Sequence, residues 1–289
     1  MAADREEVTF PSGDGSCVAW MYRPSGVERP PCVVMGNGFS LTRHDGLPVY
    51  AARFADAGFA VLLFDYRYFG DSPGSPRQRF RTRSQRQDWR SALAHARADR
   101  GIDSSRIVAW GYSFGGGHVT AVAARDHGLA AVMLLFPFVS GLRRVLKTPP
   151  GVSAWVMPRS IGDWLGRHNT IPVTGPAGSR AAMAFAGEQA GFERTVAHGS
   201  PWRNEISPAV FATVGFHRPV ARARSIRCPL WVGIGARDIT VDNEAAARLA
   251  DRAPRGEAHR YPMDHFDALT PEGIETVASD QLEFLRRVA

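Results

Sequence analysis

The stretch Arg106-Ile107-Val108-Ala109-Trp110-Gly111-Tyr112-Ser113-Phe114-Gly115-Gly116-Gly117 decides how the rest of the chain is read. Residues 106–110 predict a buried strand, and residues 114–126 predict an apolar helix. Between them lies G-x-S-x-G, in the strand–turn–helix setting that the motif requires. The physics accounts for the glycines. A serine on a sharp turn projects its hydroxyl beyond the sheet edge. Gly111 and Gly115 remove side chains that would collide where strand and helix approach. The Phe114 N–H, at the helix start, is aimed where an oxyanion would form and is assisted by the helix dipole. The pentapeptide alone occurs by chance; its place between a strand and a helix gives it weight.

Outward from this turn, short apolar strands alternate with helices. A first hairpin is expected over Glu7–Phe10 and Cys17–Tyr22, turning at Ser12-Gly13-Asp14-Gly15. Further strands are expected at Cys32–Met35, Phe59–Phe64, Ala130–Phe136, Leu230–Ile234 and Ala258–Tyr261. Helices are expected at Leu47–Ala57 (stopped by Gly58), Gln85–Ala98, Asn243–Arg252 and Glu272–Arg287. The last is marked by Thr270 as N-cap and Pro271 at the first helical position. Continuous apolar strands between helices predict a mostly parallel sheet covered on both faces. Residues 142–225 break the rhythm. They hold Trp155, Trp164, Phe185, Phe192, Trp202, Phe211 and Phe216 among many Gly and Pro, and are too long for a bare loop. They are read as a helical insertion forming a lid, with residues 1–141 and 226–289 as the core.

With 289 residues, 44% hydrophobic and 22% charged, the composition is that of a globular chain. No apolar run is long enough for a membrane span. The opening MAADREEVTF has no basic n-region or apolar h-region, so no secretion signal is read and a cytoplasmic protein is expected. Cys17, Cys32 and Cys228 have no metal-like spacing, and Cys32 and Cys228 are expected to be buried thiols. There is no HExxH and no dinucleotide fingerprint, so no metal and no cofactor is expected. The net charge of +7 raises nucleic acid as a partner. Lys147 is the only lysine, however, and the densest basic run, Arg77 to Arg90, leads into a helix with few aromatics. It is read as a solvated face, with no nucleic-acid partner.

Taken together, these motifs resemble the α/β-hydrolase superfamily over nearly the whole chain. The resemblance implies an α/β-hydrolase fold: a mostly parallel eight-stranded sheet, helices on both faces and a helical lid. It implies that Gly36-Asn37-Gly38-Phe39 is the oxyanion loop, with Asn37 where the family often has histidine. The Phe39 N–H is the candidate second donor beside Phe114 N–H. Asp65-Tyr66-Arg67-Tyr68-Phe69-Gly70-Asp71-Ser72 resembles a family segment read as structural. The family order Ser, acid, His points to Asp238 after the strand Leu230–Ile234, with Asp242 as rival and better as an N-cap. It points to His265 in Asp264-His265-Phe266-Asp267 as the base. His259 and His118 are read as structural, and His44 and Asp45 as pocket residues.

The chemistry so implied is acyl transfer through Ser113. Gly38–Gly46 and the Asp65 segment look similar to small hydrolases related to dienelactone hydrolase and to peptidases cleaving after proline, some acting in polyketide pathways. An ester, thioester or lactone hydrolase is expected, acting on a small apolar acyl substrate. An acyltransferase or cyclase on a polyketide-like group is the alternative. A peptidase is disfavoured because the chain leaves no room for an extra domain. A non-catalytic binding protein on this fold is a third reading, disfavoured by the complete Ser113, Asp238, His265 set. The aromatic insertion is also a contact patch through which a homodimer would form.

Overall fold

The computed structural model describes residues 5–289. Eight strands form one sheet: β1 (Arg5–Ser12), β2 (Gly15–Tyr22), β3 (Cys32–Gly36), β4 (Ala60–Phe64), β5 (Ile107–Tyr112), β6 (Ala131–Leu135), β7 (Leu230–Gly235) and β8 (Gly256–Tyr261). Their order is β1-β2-β4-β3-β5-β6-β7-β8. The β1–β2 hairpin is antiparallel, as is the β2–β4 pair, and every pairing beyond β4 is parallel. Residues of β3, β4, β5 and β6 are buried throughout, which is why these strands read as unbroken apolar runs.

Eight α-helices accompany the sheet: α1 (Leu47–Asp56), α2 (Thr82–Ala98), α3 (Phe114–Ala123), α4 (Leu142–Lys147), α5 (Pro150–Trp164), α6 (Glu188–Thr195), α7 (Asn243–Arg252) and α8 (Pro271–Val288). α1 packs with α8, and α2 packs with α3. The expected caps are in place. The Asp242 side chain accepts from Ala245 N, and the Thr270 side chain from Gly273 N, with Pro271 opening α8. Gly58 follows α1 with φ of 96°, a conformation open to glycine.

The stretch 142–225 is less helical than expected. α4, α5 and α6 account for part of it, and short 3-10 turns cover Pro208–Ala212, Val214–Phe216 and Pro219–Ser225. Residues 165–187 hold no helix, and isolated bridges join Ile171 to Ile206 and Thr174 to Met183. Pro172, Pro176, Gly175 and Gly178 in that run explain the break. Hydrogen bonds tie the stretch to the turn after β3: Ala197 N to Asp45 Oδ1 at 3.0 Å, and Trp202 Nε1 to Ser40 Oγ at 3.1 Å. Cys17 and Cys32 are buried, whereas Cys228 is half-buried, contrary to expectation, because it lies before β7 and outside the sheet.

Candidate active site

Ser113 sits between β5 and α3 with φ of 52°, a positive value that a non-glycine residue holds only under constraint. The constraint is visible. Ser113 N donates to Leu135 O, and Ser113 O accepts from Phe138 N at 2.8 Å. Closeness explains the glycines. A Cβ on Gly111 would lie 2.7 Å from the Gly115 backbone, and one on Gly115 would lie 2.4 Å from Asn37 O. A Cβ on Gly38 would meet Ser113 Cβ at 2.8 Å, which puts the loop after β3 directly over the serine.

The three residues far apart in sequence meet here. His265 Nε2 is 2.9 Å from Ser113 Oγ, and His265 Nδ1 is 2.6 Å from Asp238 Oδ2. All three are buried. The other oxygen of Asp238 accepts from Thr240 N at 2.8 Å and Val241 N at 3.1 Å, so the carboxylate is fixed at both ends. The Tyr112 hydroxyl donates to His265 O at 2.8 Å and holds the histidine loop to the nucleophile strand. With Nδ1–H donating to Asp238, the Nε2 lone pair faces the serine hydroxyl, the tautomer that general-base chemistry needs. Asp242 makes no such contact and caps α7. His259 pairs with Glu257, and His118 with Gln85.

The loop after β3 shows what asparagine does in place of histidine. Asn37 Nδ2 donates to Thr42 O and Asp45 O, both at 2.8 Å, and Asn37 Oδ1 accepts from Gly38 N. The Gly38 amide is thereby occupied. The Phe39 and Phe114 amides have no internal acceptor among the described residues. Asn37 O accepts from the Tyr66 hydroxyl, which accepts from Trp89 Nε1. The Asp65–Ser72 segment thus braces this loop from beneath. Arg67 is held by Asp88 and Asp14, and Ser72 Oγ donates to Asp65 O. Burial pushes the Asp65 carboxyl up to about 6, despite Arg43 nearby.

Two residues expected in the pocket are elsewhere. Asp45 is turned inward, accepting from Thr42 N, Thr42 Oγ1 and Ala197 N, so it shapes the loop. His44 faces outward, 2.7 Å from Asp71 and edge-on to Trp20. Backbone direction just past a tight loop is what the sequence reading could not fix. His44, Asp65 and Asp71 are the one group among the described residues with metal-like proximity. The Arg43 guanidinium lies 2.9 Å from Asp71 and 3.8 Å from Asp65, where a cation would sit, so the group does not fit a metal.

Above Ser113 opens a cleft of about 450 Å³, lined by Phe39, Phe114, Phe138, Met183, Val210, Phe211 and others. A second cavity of about 580 Å³ continues it into the stretch 142–225, sharing Arg144, Ala182, Phe211 and Val214. One contact missed in the sequence joins that stretch to the acid loop. Arg144 of α4 forms a two-pronged pair with buried Glu188 of α6. The Thr240 hydroxyl donates to Glu188 at 3.0 Å, and Thr240 N donates to Asp238. Burial would raise the Glu188 carboxyl, but Arg144, the Phe185 amide and the Thr240 hydroxyl together outweigh it and the net shift is downward.

Comparison with known proteins gives this arrangement its family. The family profile described as Serine aminopeptidase, S33 (Hydrolase_4) matches residues 47–269. The chain belongs to this family of α/β hydrolases. It is 34% identical to the quorum-quenching protein AidA of Acinetobacter baumannii, over 98% of this chain and 94% of that one. It is 36% identical to a polyketide transferase of Stachybotrys chlorohalonatus, over 98% and 97% respectively. The crystal structure of the α/β hydrolase GrgF from Penicillium matches with a TM-score of 0.83 at 23% identity, covering 99% of each chain. That likeness speaks for the fold. The fold, the eight-stranded sheet and the hydrolase class of this S33-family member all agree with the sequence reading.

Proposed function

We propose that the protein is a serine hydrolase that takes the acyl group of an apolar carboxylic ester, thioester or lactone onto Ser113. The observation that carries this reading is the hydrogen-bonded run Ser113–His265–Asp238, with two uncommitted amides at its head. Ser113 Oγ attacks the carbonyl carbon while His265 Nε2 takes the hydroxyl proton. Asp238 holds the imidazole and stabilises its cation. The oxyanion rests on the Phe39 and Phe114 amides. As the tetrahedral species collapses, the bond to the alcohol or thiol breaks and His265 returns the proton to it. Water, deprotonated by His265, then releases the acid and frees Ser113.

The cleft supports an acyl substrate over a peptide. Its described lining residues include no carboxylate to hold a peptide's α-ammonium group, and most are aromatic or aliphatic. A second reading is favoured by the same walls and by the Stachybotrys relative, a polyketide transferase. If an alcohol or amine enters the apolar cleft ahead of water, the acyl-enzyme is resolved by transfer or ring closure. We place the protein in a reducing compartment, since Cys17, Cys32 and Cys228 are free thiols. Among the described residues no helix is long and apolar enough to cross a membrane. We also propose self-association through exposed Leu146, Ile161 and Leu165.

Intact mass after incubation with a fluorophosphonate tests the nucleophile. One adduct on the wild type and none on Ser113→Ala is the expected result. An adduct on both, or on neither, removes the covalent mechanism. Product analysis with a competing alcohol separates the two readings, because free acid alone means hydrolysis and a new ester means transfer.

A further inference from the structure

The basic run read as a solvated face has a structure of its own. Arg83, Arg86 and Arg90 of α2, with Arg125 just after α3, line a broad groove of about 1600 Å³. Arg222, on the turn Pro219–Ser225, lies close enough to Arg86 to act on it. Other buried or half-buried arginines of the molecule, Arg43, Arg67 and Arg144, are paired with carboxylates. Here the nearby acids are already engaged. Asp126, next to Arg125, is held by both terminal nitrogens of Arg97 at 2.9 Å. Asp14 on the groove wall is taken by Arg67, and Asp163 by Arg81.

Arg86 shows the consequence. Its Nε is buried with no partner, and its Nη2 meets only His217 Nδ1, at 3.4 Å. Burial first, then Arg222, Arg90 and Arg125, lower its affinity for its proton. A half-buried cation among like charges is destabilising unless an anion joins it. Two further observations point to the kind of anion. Trp164, 63% exposed, lines the same groove and offers a flat apolar face there. That pairing suits a phosphate joined to a planar base. Val210 lines both this groove and the Ser113 cleft, so the two adjoin.

We infer that the groove binds the phosphorylated nucleotide end of an acyl thioester of the coenzyme A type, with its phosphates on Arg86, Arg90 and Arg125 and its base on Trp164. The acyl end then occupies the Ser113 cleft. This rests on the thioester form of the reading above, and the test separates the two. Adenosine 3′,5′-bisphosphate is titrated calorimetrically against the whole protein, beside inorganic phosphate at equal ionic strength. In parallel, kcat/KM is measured for a coenzyme A thioester and for the N-acetylcysteamine thioester of the same acyl group.

The bisphosphate is expected to bind and phosphate to bind far more weakly. The exposed pair Arg90→Gln/Arg125→Gln should weaken the bisphosphate by about tenfold or more, and Trp164→Ala should also weaken it. The coenzyme A thioester should be preferred, and that preference should fall toward one in the double variant. Absent bisphosphate binding, phosphate binding as tightly, or a preference indifferent to the arginines would overturn the inference. If neither thioester is cleaved but the bisphosphate binds through these arginines, the nucleotide site stands and the thioester reading of Ser113 falls.

Discussion

Asp238 holds His265 through a single 2.6 Å contact, while its other oxygen is occupied by two backbone amides. That division of labour gives a sharp expectation for Asp238→Asn. The amide side chain keeps the shape and can still accept from Thr240 and Val241. Its NH2 group then faces His265 Nδ1 and forces the proton onto Nε2, opposite Ser113. Steady-state turnover should fall by about 10³ to 10⁴-fold with little change in the melting curve, by analogy with the same exchange in serine proteases. A variant that keeps most of its activity would show that Asp238 does not set the tautomer. Asn37 teaches a related lesson. Histidine at that place is common in the superfamily, yet the asparagine amide satisfies three backbone partners at once, and the proposed oxyanion donor, the Phe39 amide, belongs to the backbone and not to this side chain.

Between elements, the Arg144–Glu188–Thr240 contact links α4, α6 and the acid loop. Arg144→Met leaves the buried Glu188 carboxylate without its cation and should destabilise by about 3 to 5 kcal/mol. Removing both charges, in Arg144→Met/Glu188→Met, should recover much of that loss, since no charge stays buried alone. Denaturant titration of wild type, Arg144→Met, Glu188→Met and the double variant reads the coupling directly. Additive effects would mean that the pair is not a unit. This contact also marks where the sequence stopped being legible. The caps Asp242 and Thr270 act within three residues, and the turn around Ser113 is bounded by its own strand and helix, so all of them could be read locally. Arg144 and Glu188 are 44 residues apart, and Thr240 is 52 further on. No periodicity or spacing brings such partners together. The Gly- and Pro-rich run 165–187 shows the converse: the length of the stretch 142–225 argued against a bare loop and for a helical insertion, but the breakers within this run leave only isolated bridges.

Across the whole molecule, charge buried behind the active site ties stability to pH. His217 is 6% exposed, with Nε2–H directed at Phe138 O and Nδ1 facing Arg86 Nη2. His118, also buried, lies nearby with its ring against Phe114. Burial and then Arg86 depress His217 to about 3, and burial, His217 and Arg86 depress His118 as well. Above pH 6.5 both rings are neutral whether the chain is folded or not, so neither affects folding. Below it, the unfolded chain takes up protons that the folded one refuses. Stability is therefore lost as pH falls from 6.5 toward 3, by about 1.4 kcal/mol per pH unit for each such histidine. Asp65 works the other way over part of that range: its folded carboxyl, raised to about 6, binds a proton before the unfolded one does. Acidification from 6 toward 4 thus gains stability from Asp65 while losing it from the two histidines, and the histidines dominate. His217→Gln, whose amide can reach Phe138 O without titrating, should reduce the slope of unfolding free energy between pH 6 and 5 by about 1.4 kcal/mol per unit. The measurement is a set of denaturant curves at fixed ionic strength for wild type and variant. Parallel slopes would mean that His217 protonates as readily in the fold as outside it, and that the aromatic wall behind Ser113 is wetter than its packing implies.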